Sequence, residues 1–136
     1  MTAGDDRWAI FDLVARFDDA VNRLDVPEFA TLWTEDAVWE IGDPLHLRVE
    51  GRDAIVATWS GQLAKVTWLF RGSFAGVVQL AGDRATGRWP CVETGAWTDG
   101  RGYDNRSYYD DEYRRVDGQW RFARRAYVYL WLNEAT

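Results

Sequence analysis

The chain has 136 residues, of which 47% are hydrophobic and 15% are aromatic, and it carries a formal net charge of −6. This length and apolar content predict one globular domain over residues 1–136, because such a chain can bury about two-thirds of its unfolded surface. The negative charge argues against nucleic-acid binding, which requires a basic patch for the phosphates.

The sequence also lacks signals for a membrane span, secretion, a disulfide and a zinc site. The sequence has no run of 18 apolar residues and no basic-then-apolar start, so we expect neither a membrane span nor a secretory signal. A lone Cys91 cannot form an internal disulfide, which fits a cytoplasmic protein. One Cys and one His do not make a zinc-type ligand set, and the carboxylates show no EF-hand spacing for Ca²⁺. We expect no metal and no other cofactor.

The first predicted element is an amphipathic helix over residues 6–24. Its apolar residues recur at spacings of three and four, which places them on one face. We expect Asp5 or Asp6 to cap its start, and its acidic positions to form a solvated face. The residues on the apolar face are Ile10, Leu13, Val14, Phe17, Val21 and Leu24, and the acidic positions are Asp12, Asp18 and Asp19.

The next elements follow from alternation and turn residues. Asp25 is placed to cap a short helix over 27–34, with Pro27 in its first turn. Pro90 predicts a sheet edge or a bulge, since it has no amide donor, and this leaves the direction of Glu93 open. The other predicted elements are strands at 36–41, 46–50, 66–80 and 84–97 and a helix at 53–65.

The stretch from 107 to 131 predicts a β-hairpin. Asp117-Gly118 between two aromatic-rich runs is a strong signal for a tight turn. On the second run, the positions from Trp120 to Leu132 in steps of two are apolar apart from Arg124, and we expect them to pack against the helices. The opposite parity carries Arg125, Tyr127 and Tyr129, and one face of the first run carries Tyr109, Asp111 and Tyr113.

Asp111 and Arg125 lie at similar distances from this turn, so we expect them to be cross-strand or diagonal partners. Such pairing would lower the pKa of Asp111 and hold it ionised. Two interpretations remain: an oriented catalytic carboxylate, or an ion pair that only ties two strands together. Glu93, if it faces inward, would be a carboxyl among aromatic rings with a raised pKa, suited to a general acid.

Helices early in the chain and a sheet late predict an α+β fold, with a twisted sheet wrapped over about three helices. The sequence also resembles the SnoaL-like group of the nuclear transport factor 2 superfamily, in the branch of scytalone dehydratase and hexachlorocyclohexane dehydrochlorinase. The motifs that carry the resemblance are I-F-D-L (10–13), L-W-T-E-D-A-V-W-E-I (32–41), G-R-D-A-I (51–55), G-D-R-A-T-G (82–87) and Y-x-x-E-Y-R-R-x-D-G-x-W-R-F (109–122).

The resemblance implies a cone with one deep pocket between the first helix and the concave sheet, in a homodimer or homotrimer. It also implies that the usual Asp–His dyad is absent, because Asn22 stands at the position of the Asp and Phe70 at that of the His. Ile41 replaces the base of ketosteroid isomerase. Arg125 matches the arginine that helps the dehydrochlorinase bind its departing anion.

These observations favour a cofactor-free isomerase, cyclase, lyase or epoxide hydrolase. Its substrate would be a small apolar molecule of polyketide, terpenoid or aromatic type, as in secondary metabolism. The alternatives are a non-catalytic carrier or sensor of an apolar ligand, and a structural subunit of a larger enzyme. The candidate catalytic residues are Asp111, Arg125 and Glu93, and the candidate substrate-binding residues are Asn22, Trp39, Phe70, Tyr109, Tyr127 and Tyr129.

Overall fold

The computed structural model describes residues 2–134. Three helices precede or interrupt a seven-stranded sheet, as the α+β prediction requires. No helix within 2–134 combines the length and the apolar composition needed to cross a membrane. The elements are α1 (Ala3–Asn22), α2 (Val26–Thr31), β1 (Trp33–Ile41), β2 (Leu47–Glu50), α3 (Arg52–Leu63), β3 (Val66–Ser73), β4 (Val77–Ala81), β5 (Arg84–Trp97), β6 (Gly102–Val116) and β7 (Gln119–Glu134).

Capping residues set the starts of the first two helices. The Thr2 hydroxyl accepts a hydrogen bond from the Asp5 N–H, and the Asp5 carboxylate accepts one from the Thr2 N–H. This capping box makes Thr2 the N-cap, so the expected cap at Asp5 or Asp6 is wrong, although Asp5 takes part in it. The predicted cap at Asp25 is confirmed, since its side chain accepts from the Glu28 N–H at 3.1 Å.

The sheet runs in the order β2-β1-β7-β6-β5-β3, with β4 also paired to β5. Within residues 2–134, only β1 and β7 pair in parallel, and every other pair is antiparallel. One face, the inner surface, packs on the apolar face of α1 and on α3, and the sheet curves around them into the cone-like fold. Buried residues from this surface and from the three helices form the hydrophobic core.

The predicted hairpin forms the middle of the sheet. Asp117 and Gly118 have φ angles of 51° and 76°, so both turn residues are left-handed, which Asp-Gly tolerates better than most pairs. The turn sets the β6–β7 register as far as the pairing of Tyr113 with Phe122, and beyond a one-residue shift there Asp111 lies opposite Arg125, as expected.

A β-bulge at Ala123 changes which side chains of β7 face inward. Glu112 pairs with Arg124 and Tyr113 with Phe122, so Ala123 is one extra residue on β7. Before the bulge the even-numbered Phe122 is buried, and after it the odd-numbered Arg125 is buried. The prediction that one alternating apolar set forms the core along the whole strand is therefore wrong.

Pro90 causes no bulge. The β5–β6 register is continuous from Arg84 to Ala96. Pro90 lies in the gap between the part of β5 that pairs with β4 and the part that pairs with β3. No ladder partner needs an amide there, and the Pro90 carbonyl accepts from the Phe74 N–H at 2.8 Å. Glu93 therefore keeps the parity of the buried Cys91 and faces inward.

Gly76, between β3 and β4, is expected to tolerate no side chain. A Cβ there would lie 2.4 Å from the Arg88 carbonyl oxygen and 2.6 Å from Cδ2 of Trp89. Gly76→Ala should lower the free energy of unfolding by about 1–3 kcal/mol, measured by urea denaturation. Gly61→Ala is the control, because no atom lies within 4 Å of its added Cβ and Ala favours the helix α3. Equal stability of the two variants would contradict this packing argument.

Candidate functional site

Two buried arginines dominate the inner surface. Arg125 on β7 is fully buried, and Arg71 on β3 has 1% of its side chain exposed. Their guanidinium carbons lie 3.8 and 5.4 Å from the Tyr109 ring centroid, and 4.4 and 5.3 Å from that of Phe17. A buried charge persists only when it is paired and hydrogen-bonded, so the partners of each arginine define its role.

Arg125 is bound to Asp111. Its Nε donates to Oδ1 at 2.8 Å and its Nη2 to Oδ2 at 3.1 Å, a bidentate pair. The Tyr113 hydroxyl also donates to Oδ2, at 2.6 Å. Both carboxylate oxygens of Asp111 are therefore engaged in a fully buried position, which favours a structural role over a catalytic one.

The pKa of Asp111 is raised in this environment, whereas the sequence analysis expected it to be lowered. Burial raises the pKa of Asp111, and the Arg125 charge and the bonds from Arg125 and Tyr113 only partly offset it. The expected lowering of its pKa is wrong, because loss of hydration outweighs the opposite charge in this interior.

Arg71 has two carboxylate partners. Its Nη1 donates to Asp18 on α1, and its Nε donates to Glu93 on β5 at 3.2 Å. Burial alone would lower the pKa of Arg71, but the charges of Asp18 and Glu93 help to hold it well above the ordinary value. Its Nη2 has no hydrogen-bond partner within residues 2–134.

Both carboxylates of this set reach the exposed rim of the inner surface. The side chains of Asp18 and Glu93 are 14% and 25% exposed, whereas Arg71 beneath them is buried. The expectation that Asp18 lies on a solvated helix face is wrong. Asp18 follows Val14 by one helical turn and Phe17 by one residue, so it flanks the buried face of α1. We call Asp18, Arg71 and Glu93 the carboxylate–arginine triad.

Phe70 points away from this triad. It is 55% exposed, so its expected inward direction is wrong, and the next residue, Arg71, faces inward instead. Asn22 fixes this arrangement: its Nδ2 donates to the Arg71 carbonyl at 2.9 Å, and its Oδ1 accepts from the Arg71 N–H at 2.8 Å. The end of α1 thereby clamps the backbone of β3 at the residue that carries the guanidinium.

Asn22→Asp should weaken this clamp. An ionised carboxylate keeps the bond from the Arg71 N–H but faces the Arg71 carbonyl without a donor. We expect a loss of about 1–3 kcal/mol of unfolding free energy at neutral pH. Below the ordinary carboxyl pKa of about 4 the protonated Asp regains a donor, so the loss should shrink. Urea denaturation of both proteins at neutral pH and below pH ~4 tests this. A loss of unfolding free energy that is the same at the two pH values would contradict it.

Tyrosines and an amide complete the inner surface. Tyr109 accepts from Trp39 Nε1 at 3.2 Å, and burial raises the pKa of Tyr109 to about 12. The Tyr127 hydroxyl donates to Asn105 Oδ1 at 2.6 Å, and the Tyr127 and Tyr129 rings meet edge to face at 5.1 Å. Burial raises the pKa of both phenols, so they remain neutral hydrogen-bond donors.

The structure thus brings the predicted residues other than Phe70 to the interior or to its rim. Asn22 is one of these residues, but its side chain bonds to the backbone of Arg71. The roles of the predicted residues in binding or converting a substrate stay predictions. Three further inward residues were not predicted, namely Arg71, Asn105 and Ser107, and the Ser107 hydroxyl donates to Asn105 Oδ1 at 2.9 Å. The parity of Tyr109 and Asp111 contained the signal for Asn105 and Ser107, since all four alternate on β6.

Other reactive groups lie apart or are inert. Residues 2–134 contain no group of three or more His, Cys, Asp or Glu placed to hold a metal ion. Burial raises the pKa of the Cys91 thiol, which keeps it protonated and a poor nucleophile. His46, exposed between β1 and β2, contacts Asp43.

Comparisons with known proteins show one family and a shared fold. The model of the SnoaL-like domain matches residues 3–126. A search of curated protein sequences finds no match. A candidate aromatic ring hydroxylase from Novosphingobium aromaticivorans has a similar structure, with a TM-score of 0.92 and 25% identity over 99% of this chain and 96% of that one.

Two further solved structures are similar in fold at lower identity. A candidate scytalone dehydratase from Novosphingobium aromaticivorans has a TM-score of 0.87 and 20% identity over 96% of this chain and 88% of that one. A hexachlorocyclohexane dehydrochlorinase, LinA type 2, has a TM-score of 0.86 and 18% identity over 97% of this chain and 90% of that one.

Proposed function

The chain belongs to the SnoaL-like domain family, and from this premise we propose that it is a cofactor-free enzyme for a small apolar molecule. The proposed chemistry is proton transfer at the rim of the inner surface, as in a lyase, isomerase, cyclase or epoxide hydrolase. One observation carries this proposal: a buried arginine joins two partly exposed carboxylates, one on α1 and one on β5.

Each member of the triad has a chemical role in this proposal. Glu93 or Asp18 accepts a proton from the substrate or from water, and the other returns one. Arg71 holds both carboxylates in place, and its free N–H group stabilises negative charge that develops on the substrate. Tyr127 and Tyr129 pack against the substrate and orient it.

The names of two structural relatives point in the same direction. A dehydratase removes water and a dehydrochlorinase removes hydrogen chloride, and both are eliminations in which a proton leaves carbon. The resemblance implies that the usual Asp–His dyad is absent, with Asn22 and Phe70 at its two positions, and Asn22 bonds to the backbone of Arg71. The proposed base is therefore a carboxylate of the triad, while the Asp111–Arg125 pair supports the sheet beneath it.

A second function is favoured by that sealed pair. Asp111 and Arg125 are fully buried, as expected in the interior of a protein that carries an apolar ligand without chemistry. In that case the triad would be a structural network that ties α1 to β3 and β5.

Exchange with solvent separates the two functions. The protein is incubated in deuterium oxide with a panel of apolar ketones, alcohols and epoxides, and each compound is analysed by mass spectrometry. An enzyme of the proposed kind incorporates deuterium, removes water or opens the epoxide of at least one compound. Recovery of bound compounds without any change in mass would support the carrier instead.

A further inference from the structure

One tyrosine of β6 lies beside the Glu93 carboxylate. Tyr103 pairs with Gly95 on β5, and the next inward residue of β6, Asn105, pairs with Glu93. Residues two apart on a strand share a face, so Tyr103 and Glu93 are diagonal neighbours on the inner surface. Tyr103 is buried, whereas the Glu93 side chain is partly exposed. A phenol that is nearly out of water is therefore available to a carboxylate at the rim.

Gly95 leaves the space that the Tyr103 ring occupies. A Cβ at Gly95 would lie 2.7 Å from both the hydroxyl oxygen and Cε1 of Tyr103, so the ring lies across β5 at this residue. The Trp97 ring packs against it with the two centroids 5.0 Å apart. Because Glu93, Gly95 and Trp97 alternate on one face of β5, the phenol lies in a slot between a carboxylate and an indole.

The ionisation of Tyr103 reflects the carboxylate beside it. Burial, and after it the charge and hydrogen bonding of Glu93, raise the pKa of Tyr103 well above the ordinary value of a phenol. Tyr103 therefore stays protonated and can donate its O–H to the carboxylate. Glu93 also accepts from Arg71 Nε at 3.2 Å. Groups on both strands that flank β5 thus act on one carboxylate, Arg71 from β3 and Tyr103 from β6.

The two other phenols near Glu93 are related to it differently. Its charge helps to raise the pKa of Tyr127 and of Tyr129. For these two Glu93 acts through its charge, whereas for Tyr103 it is also a hydrogen-bond acceptor. The titratable or charged groups that face Glu93 or its partner arginine are Arg71, Asp18, Cys91, Tyr103, Tyr127 and Tyr129.

We propose that Tyr103 is a positioning residue for Glu93, and that Gly95 makes this role possible by leaving room for the phenol. This rests on the proposed function in taking Glu93 as a proton carrier. The Tyr103 O–H holds the carboxylate at the rim beside Arg71 and favours its ionised form, which accepts a proton. Glu93 takes the proton, the electron pair of the broken bond stays on the substrate, and Tyr103 keeps its own proton throughout.

Carboxyl ¹³C NMR of glutamate-labelled protein tests the contact without a substrate. The Glu93 signal is assigned by its loss in Glu93→Gln, and its chemical shift is followed against pH. Loss of a hydrogen bond that favours the ionised form makes a carboxyl easier to protonate. Tyr103→Phe should therefore move the titration midpoint of this signal up by about one pH unit.

Tyr108→Phe is the matched control, because it removes a phenol oxygen from the opposite face of the same strand. Tyr108 alternates with the buried Tyr109, and its ring centroid lies 5.9 Å from the guanidinium carbon of Arg88. This variant should leave the Glu93 midpoint in place.

Gly95→Ala should have the effect of Tyr103→Phe while retaining the hydroxyl. The added Cβ pushes the phenol away from β5, so the midpoint should rise again, and the double variant should rise no further than Tyr103→Phe alone. The Cβ would also lie 2.7 Å from the Trp68 carbonyl oxygen, so Gly95→Ala is expected to lose stability as well. Tyr103→Phe removes a single oxygen atom and decides the question where Gly95→Ala does not fold.

The catalytic readout uses a compound converted in deuterium oxide. Tyr103→Phe should lower kcat about tenfold with little change in KM, and the limb of the pH–rate profile that reports Glu93 should move to higher pH. An unchanged NMR midpoint in Tyr103→Phe, or an equal shift in Tyr108→Phe, would overturn the inference. A shifted midpoint in a protein that converts no compound would support the contact and contradict the proposed function instead.

Discussion

Glu93→Gln is expected to lower kcat for the proton-transfer reaction at least about a hundredfold. A positioned general base or acid contributes about 10²–10⁴ in rate, and glutamine has nearly the same shape but cannot accept the proton. Asp18→Asn should cause a loss of the same order if Asp18 is the second proton carrier. The loss should lie in kcat rather than in KM, because the apolar contacts that bind the substrate remain.

The helix offers a matched control for this experiment. Asp19 follows Asp18 directly, is 62% exposed and pairs with Arg23 at 3.3 Å. Asp19→Asn should keep kcat within about twofold, since an exposed ion pair contributes little. Unfolding midpoints of all three variants exclude a trivial loss of structure. Wild-type turnover in both Glu93→Gln and Asp18→Asn would remove the triad from the mechanism.

Arg125→Met is expected to cost about 3–5 kcal/mol of unfolding free energy, because it leaves the buried Asp111 carboxylate without its charged partner. Asp111→Asn combined with Arg125→Met should recover a large part of this loss. In the double variant the amide oxygen of the introduced asparagine still accepts from Tyr113, and no buried charge remains at this pair. Chemical denaturation of the two single variants and the double variant gives the coupling between the two side chains.

The pH dependence of the Arg125→Met variant gives an independent check. Burial already raises the pKa of Asp111, and loss of the Arg125 charge removes a group that opposes this. A carboxyl with a raised folded-state pKa stabilises the protein below its unfolded value of about 4 and loses that contribution as pH rises through the folded value. The penalty of Arg125→Met should therefore be smallest at acid pH. A penalty independent of pH between about 4 and 7 would contradict the buried-charge explanation.

Much of the fold was accessible to sequence reasoning because its signals are local. The Asp117-Gly118 pair set the hairpin and its register as far as the pairing of Tyr113 with Phe122. Asp25 capped α2 through a side chain three residues from its partner. Each of these contacts depends on a few consecutive residues whose conformational preferences are strong.

The site was less accessible because its geometry depends on contacts distant in sequence. The inward direction of Arg71 rather than Phe70 depends on bonds from Asn22, 49 residues earlier in the chain. The burial of Asp18 depends on which side of α1 the sheet covers, and an aspartate on a helix is usually exposed. Residue types predicted an Asp–Arg–Glu set of Asp111, Arg125 and Glu93, but the structure forms such a set from Asp18, Arg71 and Glu93.

The extra residue at Ala123 divides β7 into two segments whose inward side chains could be changed independently of each other. Before it, Trp120 and Phe122 belong to the packed base of the sheet, and after it Arg125 and Tyr127 belong to the polar interior. Substitutions after Ala123 could therefore change the inner surface while the packed segment before it stays the same. Removing this one residue would reverse which side chains of the following segment face inward, so a deletion here should disturb the interior more than a substitution of the alanine.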